Sequence, residues 1–135
     1  MSLADINAAL VVAYQGAALG LPTAWEGVDF TPPADAAWAQ LYLLPAPTSI
    51  DTLGPGGLDL HTGIFQVDLS VPQNTGTGVL LGYADTLRAV FKAGNTAIHN
   101  SQSVLILDCS RSKLTQAAGW LTVSMSISWR AYTAR

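Results

Sequence analysis

The segment Gly76-Thr77-Gly78-Val79-Leu80-Leu81-Gly82 is the part of this 135-residue chain whose residue types come nearest to a ligand-binding device. Glycines between a strand and a helix can bring backbone N–H groups onto a pyrophosphate, where the helix dipole favours its charge. Here, however, Pro72 to Thr75 separate the preceding strand from the first glycine, where such a device needs a tight turn. No acidic residue closes a following strand about 20 positions on, where a ribose would be held. The structural reading is that Thr75 or Thr77 caps a helix and Gly82 lets that helix approach a sheet. A small nucleotide-binding domain using Gly76, Gly78 and Gly82 is kept as an alternative.

Other reactive side chains are few. His61 and His99 are the only histidines, and no G-x-S-x-G elbow accompanies them. Both read as surface or loop residues: His61 precedes a strand in Leu60-His61-Thr62-Gly63, and His99 stands in a polar stretch. Cys109 comes just after the apolar run Val104–Leu107 and Asp108, and reads as a small buried hydrophobe. A single cysteine excludes an internal disulfide framework. The carboxylates are scattered, with no pair on one face for acid–base work, and metal-ligand spacing is absent. No catalytic residue, cofactor or metal is expected.

Charge is scarce. Asp, Glu, Lys and Arg make up 11% of the chain, against about 25% in ordinary soluble domains. Half of the residues are hydrophobic and the mean hydropathy is +0.33. Yet the longest apolar run, Ala8 to Tyr14, is far short of the ~20 residues that a bilayer requires. A chain with so little charge is expected to bury part of its surface against partners. A pI near 4.9 argues against a reader of nucleic acid, which needs a basic stripe. The charges are also segregated: residues 1–87 carry −8 and residues 88–135 carry +5. One acidic and one basic patch would suit head-to-tail association, unless strands from the two halves interleave and mix them.

The elements that must position these residues follow from spacing. Ser2 and Asp5 form a helix start, and Leu3, Ile6, Leu10 and Tyr14 recur at helical intervals before Gly16 or Gly20. Residues 21–37 are a connection in which Trp25, Val28 and Phe30 tuck against the core edge. Trp38 to Leu44 is a strand. Pro45 to Gly63 is a long loop or extended hairpin around Gly54-Pro55-Gly56-Gly57. Phe65, Val67, Leu69 and Val71 alternate with polar residues as a half-buried strand. A second helix is predicted from about Val79 to Ala93, with Leu80, Ala84, Leu87 and Phe91 inward and Gly94-Asn95 as its stop. Val104 to Leu107 is a short strand, and Arg111 to Gly119 a polar turn. In the last strand Leu121, Val123, Met125, Ile127 and Trp129 alternate with Thr122, Ser124, Ser126 and Ser128. The expected fold is one α/β (α+β) domain, residues 1–135: a mixed, mainly antiparallel sheet of about four strands with two helices on one face, and a protruding loop at about 45–63.

Several of these residues, in order along the chain, carry a family resemblance. Trp25, Phe30-Thr31-Pro32-Pro33 and Trp38, then His61-Thr62-Gly63 and Gln66-Val67-Asp68, then Gly76-Thr77-Gly78 and Gly119-Trp120, resemble the small tail-terminator proteins of long-tailed bacteriophages and prophages. The resemblance implies a structural virion protein. Such proteins form homohexameric rings that cap the head-proximal end of the tail tube, stop its growth and present a surface to the head–tail connector protein. Genomic DNA passes through the lumen without being read, and no membrane is involved. The location implied is the neck region of the virion tail, after assembly in the host cytoplasm. Another neck or tail component, a connector completion protein or tube-like subunit, is the nearest alternative.

Under that resemblance the 48–62 loop is expected to engage the tube or a neighbouring subunit through Leu53, Leu58 and His61. Arg88, Arg111 and Arg130 are the candidate contacts of the basic half. A net negative subunit suits a lumen through which phosphates must slide. Deleting 50–59 is expected to leave a folded domain.

Overall fold

The computed structural model describes residues 2–135. The first helix, α1, spans Leu3–Gly16, and Ser2 caps it by accepting from the Asp5 N–H at 3.1 Å. Its inward stripe is Ile6, Ala9, Leu10 and Tyr14. Leu3, expected in that stripe, is 66% exposed, because the first turn runs past the edge of the core. Thr23 donates to the Leu21 carbonyl, so the Tyr14 hydroxyl donates in turn to Thr23 at 2.9 Å. Trp25 meets Tyr14 edge to face, and Phe30 stacks on Trp38. Val28, expected beside them, is instead 62% exposed, on a turn closed by its N–H donating to the Trp25 carbonyl.

Among the described residues eight strands form one sheet: β1 (Thr23–Ala24), β2 (Trp38–Pro45), β3 (Ser49–Ile50), β4 (Leu58–Pro72), β5 (Thr96–His99), β6 (Gln102–Arg111), β7 (Thr115–Ala117) and β8 (Trp120–Ala134). The order across it is β1-β2-β4-β8-β6-β5, with β3 beside β4 and β7 beside β8. Among the described residues only the β1–β2 pair is parallel. The α+β class with two helices agrees with the sequence, and the strand number does not. The strands that periodicity misses are short edge pieces, and β3 and β7 are exposed throughout. Such strands are defined by the hydrogen bonds of a neighbour rather than by an apolar face of their own.

The long strand β4 starts at Leu58, within the stretch expected to be a long loop or extended hairpin. It pairs with β8 without interruption from Leu58↔Ala134 to Pro72↔Trp120. The segment outside regular pairing is therefore 51–57, with Ser49 and Ile50 already bridged to Leu60 and Asp59. The second helix, α2, spans Thr77–Val90. Leu80, Ala84 and Leu87, with Phe91 just beyond the helix, face inward, and the Phe65 and Phe91 ring centroids lie 5.8 Å apart.

Both helices share one core cluster with Phe65, Val67, Leu69 and Val71 of β4 and with Leu121, Val123, Met125, Ile127 and Trp129 of β8. The opposite face of the sheet alternates with this one and carries Gln66, Ser70, Thr122, Ser124, Ser126 and Ser128. Reading the registers across the sheet, Leu41, Val67, Met125 and Arg111 fall on one row. Leu43, Phe65, Ile127 and Cys109 fall on another. A register shift between Ile106 and Asp108 marks a bulge in β6, a device that kinks a strand and limits its pairing.

Candidate functional site

The sequence-predicted contact residues occupy three separate places. The first is the 51–57 loop. Leu53, at its tip, is 87% exposed. Below it the Arg135 guanidinium donates from Nη2 to the carbonyls of Thr52 and Gly54, and from Nη1 to the carbonyl of Leu58 and to Asp59 Oδ1. The Arg135 N–H also donates to the Gly57 carbonyl at 3.0 Å. Gly57 has to be glycine here, because a Cβ would run into the Arg135 guanidinium and the Thr52 carbonyl. Leu58 opens β4, its carbonyl taking the N–H groups of Asp51 and Thr52. The loop is thus tied at its base, and it projects one large apolar side chain.

His61 is not a surface residue. It lies within β4, 8% exposed, beside a largely apolar hollow of ≈ 370 Å³ that Leu43, Pro45, Pro47 and Trp129 help to line. Its Nδ1 meets Thr48 Oγ1 at 2.9 Å and its Nε2 meets Thr133 Oγ1 at 2.7 Å. Both ring nitrogens are engaged, so His61 is a brace between the β2–β3 connection and β8. The expected surface or loop placement is corrected to a largely buried strand position. His99 likewise lies in strand β5 rather than in a loop.

The second place is a polar hollow of ≈ 330 Å³ between α2 and the end of β6, where Arg88 and Arg111 stand with Asp85, Asp108 and Cys109. Burial pushes the Cys109 thiol up; Arg88 lowers it and Asp108 raises it. The third is Arg130, on the sheet face away from the helices, between Thr62 and Leu105. Its guanidinium carbon lies 6.0 Å from the Tyr132 ring centroid.

Charge segregation survives folding in part. Arg135 pairs with Asp59, and Asp85 and Asp108 mix with Arg88 and Arg111. Glu26 and Asp29, however, stand with aromatic residues along a hollow that no Lys, Arg or His lines. Sequence reasoning missed Arg135, Thr48, Thr133 and Glu26, whose partners lie 13 to 83 positions away or on a strand edge. The Gly54–Gly57 cluster was the one sequence signal pointing toward the clasp.

At the glycine segment, Gly76 is the N-cap of α2 with φ 93°, and no side chain caps the helix. Neither Thr75 nor Thr77 has the expected capping bond. Gly82 does not bring the helix close to the sheet: a Cβ there, as at Gly78, would meet nothing within 4 Å. Among the described residues no group of three His, Cys, Asp or Glu side chains could hold a metal ion. No described helix is long and apolar enough to cross a membrane. What these places offer is contact chemistry: an exposed apolar tip, a polar hollow of mixed charge beside α2, and an acidic aromatic hollow at a sheet edge.

Comparison with known proteins gives this geometry a class. A family model described as phage tail terminator protein matches residues 5–129, and the chain belongs to that family. The family is structural rather than enzymatic, and it marks the chain as a component of phage tails. A solved structure of a protein without a functional name superposes with a TM-score of 0.79 at 26% identity, covering 97% of this chain and 96% of that one. No curated protein matches the sequence.

Proposed function

We propose that this chain is a tail terminator that forms a homohexameric ring on the head-proximal end of the tail tube. There it stops tube polymerisation and presents the head–tail joining surface to the connector protein. Family membership across residues 5–129 carries the reading. Scarce charge, at 11% of residues, supports a subunit that buries surface against partners. The exposed Leu53, held out on a loop that Arg135 fastens at its base, supports a preformed docking tip, which loses little freedom on binding. DNA passing through the lumen would meet a subunit of net charge −3, which does not retain phosphates.

The test is genetic and visual. Removing the gene from the phage or prophage that encodes it should give tails of uncontrolled length without heads, and restoring it should return uniform tails. Uniform tails with heads attached in its absence would contradict the reading. The loop is tested by deleting 51–57 rather than 50–59, since Leu58 and Asp59 belong to β4. The shortened chain should remain folded and lose capping.

A further inference from the structure

Among the described residues, β2 and β6 each leave a half-edge with no strand against it. β1 pairs with only Ala39 and Gln40 of β2, leaving Leu41–Pro45 at the border. At the other side β5 pairs with only Gln102–Leu105 of β6, and the backbone of Ile106 is taken up by Gly94 and Asn95. Residues Leu107–Arg111 are then the second open border.

These half-edges match in height and run in opposite directions. The registers put Leu41 on the row of Arg111, Leu43 on that of Cys109, and Leu44 on that of Asp108. Each step from β2 through β4 and β8 to β6 is antiparallel, so β2 and β6 run in opposite directions. A second copy laid with its β6 against β2 would continue the antiparallel alternation. Pairing row to row adds no rise along the strands, as a closed ring rather than an open filament requires.

The flanking side chains are complementary. Beside the β2 half-edge lies a hollow of ≈ 350 Å³ walled by Trp25, Phe30, Trp38 and Tyr42, with the carboxylates of Glu26 and Asp29 on it. The Tyr42 hydroxyl is held above its ordinary range, by burial first and then by Asp68 and Glu26, in keeping with a negative site. At the end of the β6 half-edge, Arg111 and Lys113 are exposed. A cation in an aromatic hollow with carboxylates gains both ion pairing and attraction to the ring faces. Each edge is lightly guarded in the single chain: Glu26 Oε1 accepts from the Leu43 N–H at a long 3.4 Å, and the bulge blunts β6. Guarding of this kind discourages indiscriminate strand pairing.

We propose that copies of this chain join edge to edge, Leu107–Arg111 of one against Leu41–Leu44 of the next, with Arg111 and Lys113 seated on Glu26 and Asp29. The joint is a strand addition, in which main-chain bonds supply affinity and flanking side chains supply specificity. It rests on the ring reading above and names the two surfaces that meet.

Two charge-reversed variants test it, Glu26→Lys/Asp29→Lys and Arg111→Glu/Lys113→Glu, with wild type alongside in light scattering. Each variant alone should be folded by circular dichroism and associate about a hundredfold more weakly than wild type, about tenfold for each reversed pair. An equimolar mixture should recover assembly, because every joint then carries opposite charges in an alternating ring. Variants that assemble alone as wild type does, or a mixture that stays apart while wild type assembles, would overturn the joint and leave the ring standing. A wild-type chain that stays monomeric, alone and with the tail tube protein, would overturn the ring and the joint with it.

Discussion

Arg135 Nη1 lies 2.5 Å from Asp59 Oδ1, joining residues 76 positions apart at the foot of the exposed 51–57 loop. The same guanidinium reaches three carbonyls, two of them inside the loop. Replacing Arg135 by Ala should therefore free the loop more than it destabilises the domain. Global stability should fall by about 1 kcal/mol or less, as for a partly exposed ion pair, while proteolysis within 51–57 accelerates at least about tenfold. Unchanged cleavage would mean that the loop holds its shape without the clasp.

His61 is engaged at both ring nitrogens. His61→Ala removes one partner from each of Thr48 and Thr133 in a largely buried setting, an expected cost of about 1–3 kcal/mol. Urea unfolding reads this directly. A change within about 0.5 kcal/mol, the range of an ordinary surface substitution, would contradict the bracing role.

Gly63 marks a close approach. A Cβ there would stand 2.8 Å from the Leu44 carbonyl oxygen and 2.9 Å from Trp129 Cζ2. Since the nearer neighbour is backbone, Gly63→Ala should shift β2 away from β4 and cost about 1–3 kcal/mol, as overpacking does. Stability equal to wild type in thermal unfolding would show that the strands absorb the methyl group.

These residues show what the sequence conveyed and where it fell silent. The alternation Phe65–Val71 and Leu121–Trp129 located the core of β4 and β8, and the spacing Ile6–Leu10–Tyr14 oriented α1, because one-sided burial writes its period into the chain. Beyond Gly63 the period fades: Leu58, Asp59 and Leu60 are held by backbone pairing to β8 and by Arg135, neither of which leaves a local pattern. His61 looked like a loop residue because its partners, Thr48 and Thr133, come together only once β4 and β8 are paired. β5 and β7 escaped notice for the same reason. The −8/+5 split indicated complementary patches but not that Asp59 and Arg135 would neutralise each other, since only topology brings them together.

Cys109 is buried and its thiol is raised above the ordinary range, chiefly by burial. The folded chain holds this proton more tightly than the unfolded chain. The resulting stability is fully present below the ordinary thiol range and is lost as pH rises through the raised value. Alkylation of native protein at pH 8 should be at least about tenfold slower than that of unfolded protein. Equal rates would place the thiol in solvent.

The mass of the wild-type assembly in solution, read by light scattering together with negative-stain images, tests self-assembly most directly. Rings of six subunits, formed alone or on the tail tube protein, are the predicted result. A monodisperse monomer at high concentration, unchanged by the tail tube protein, would contradict it.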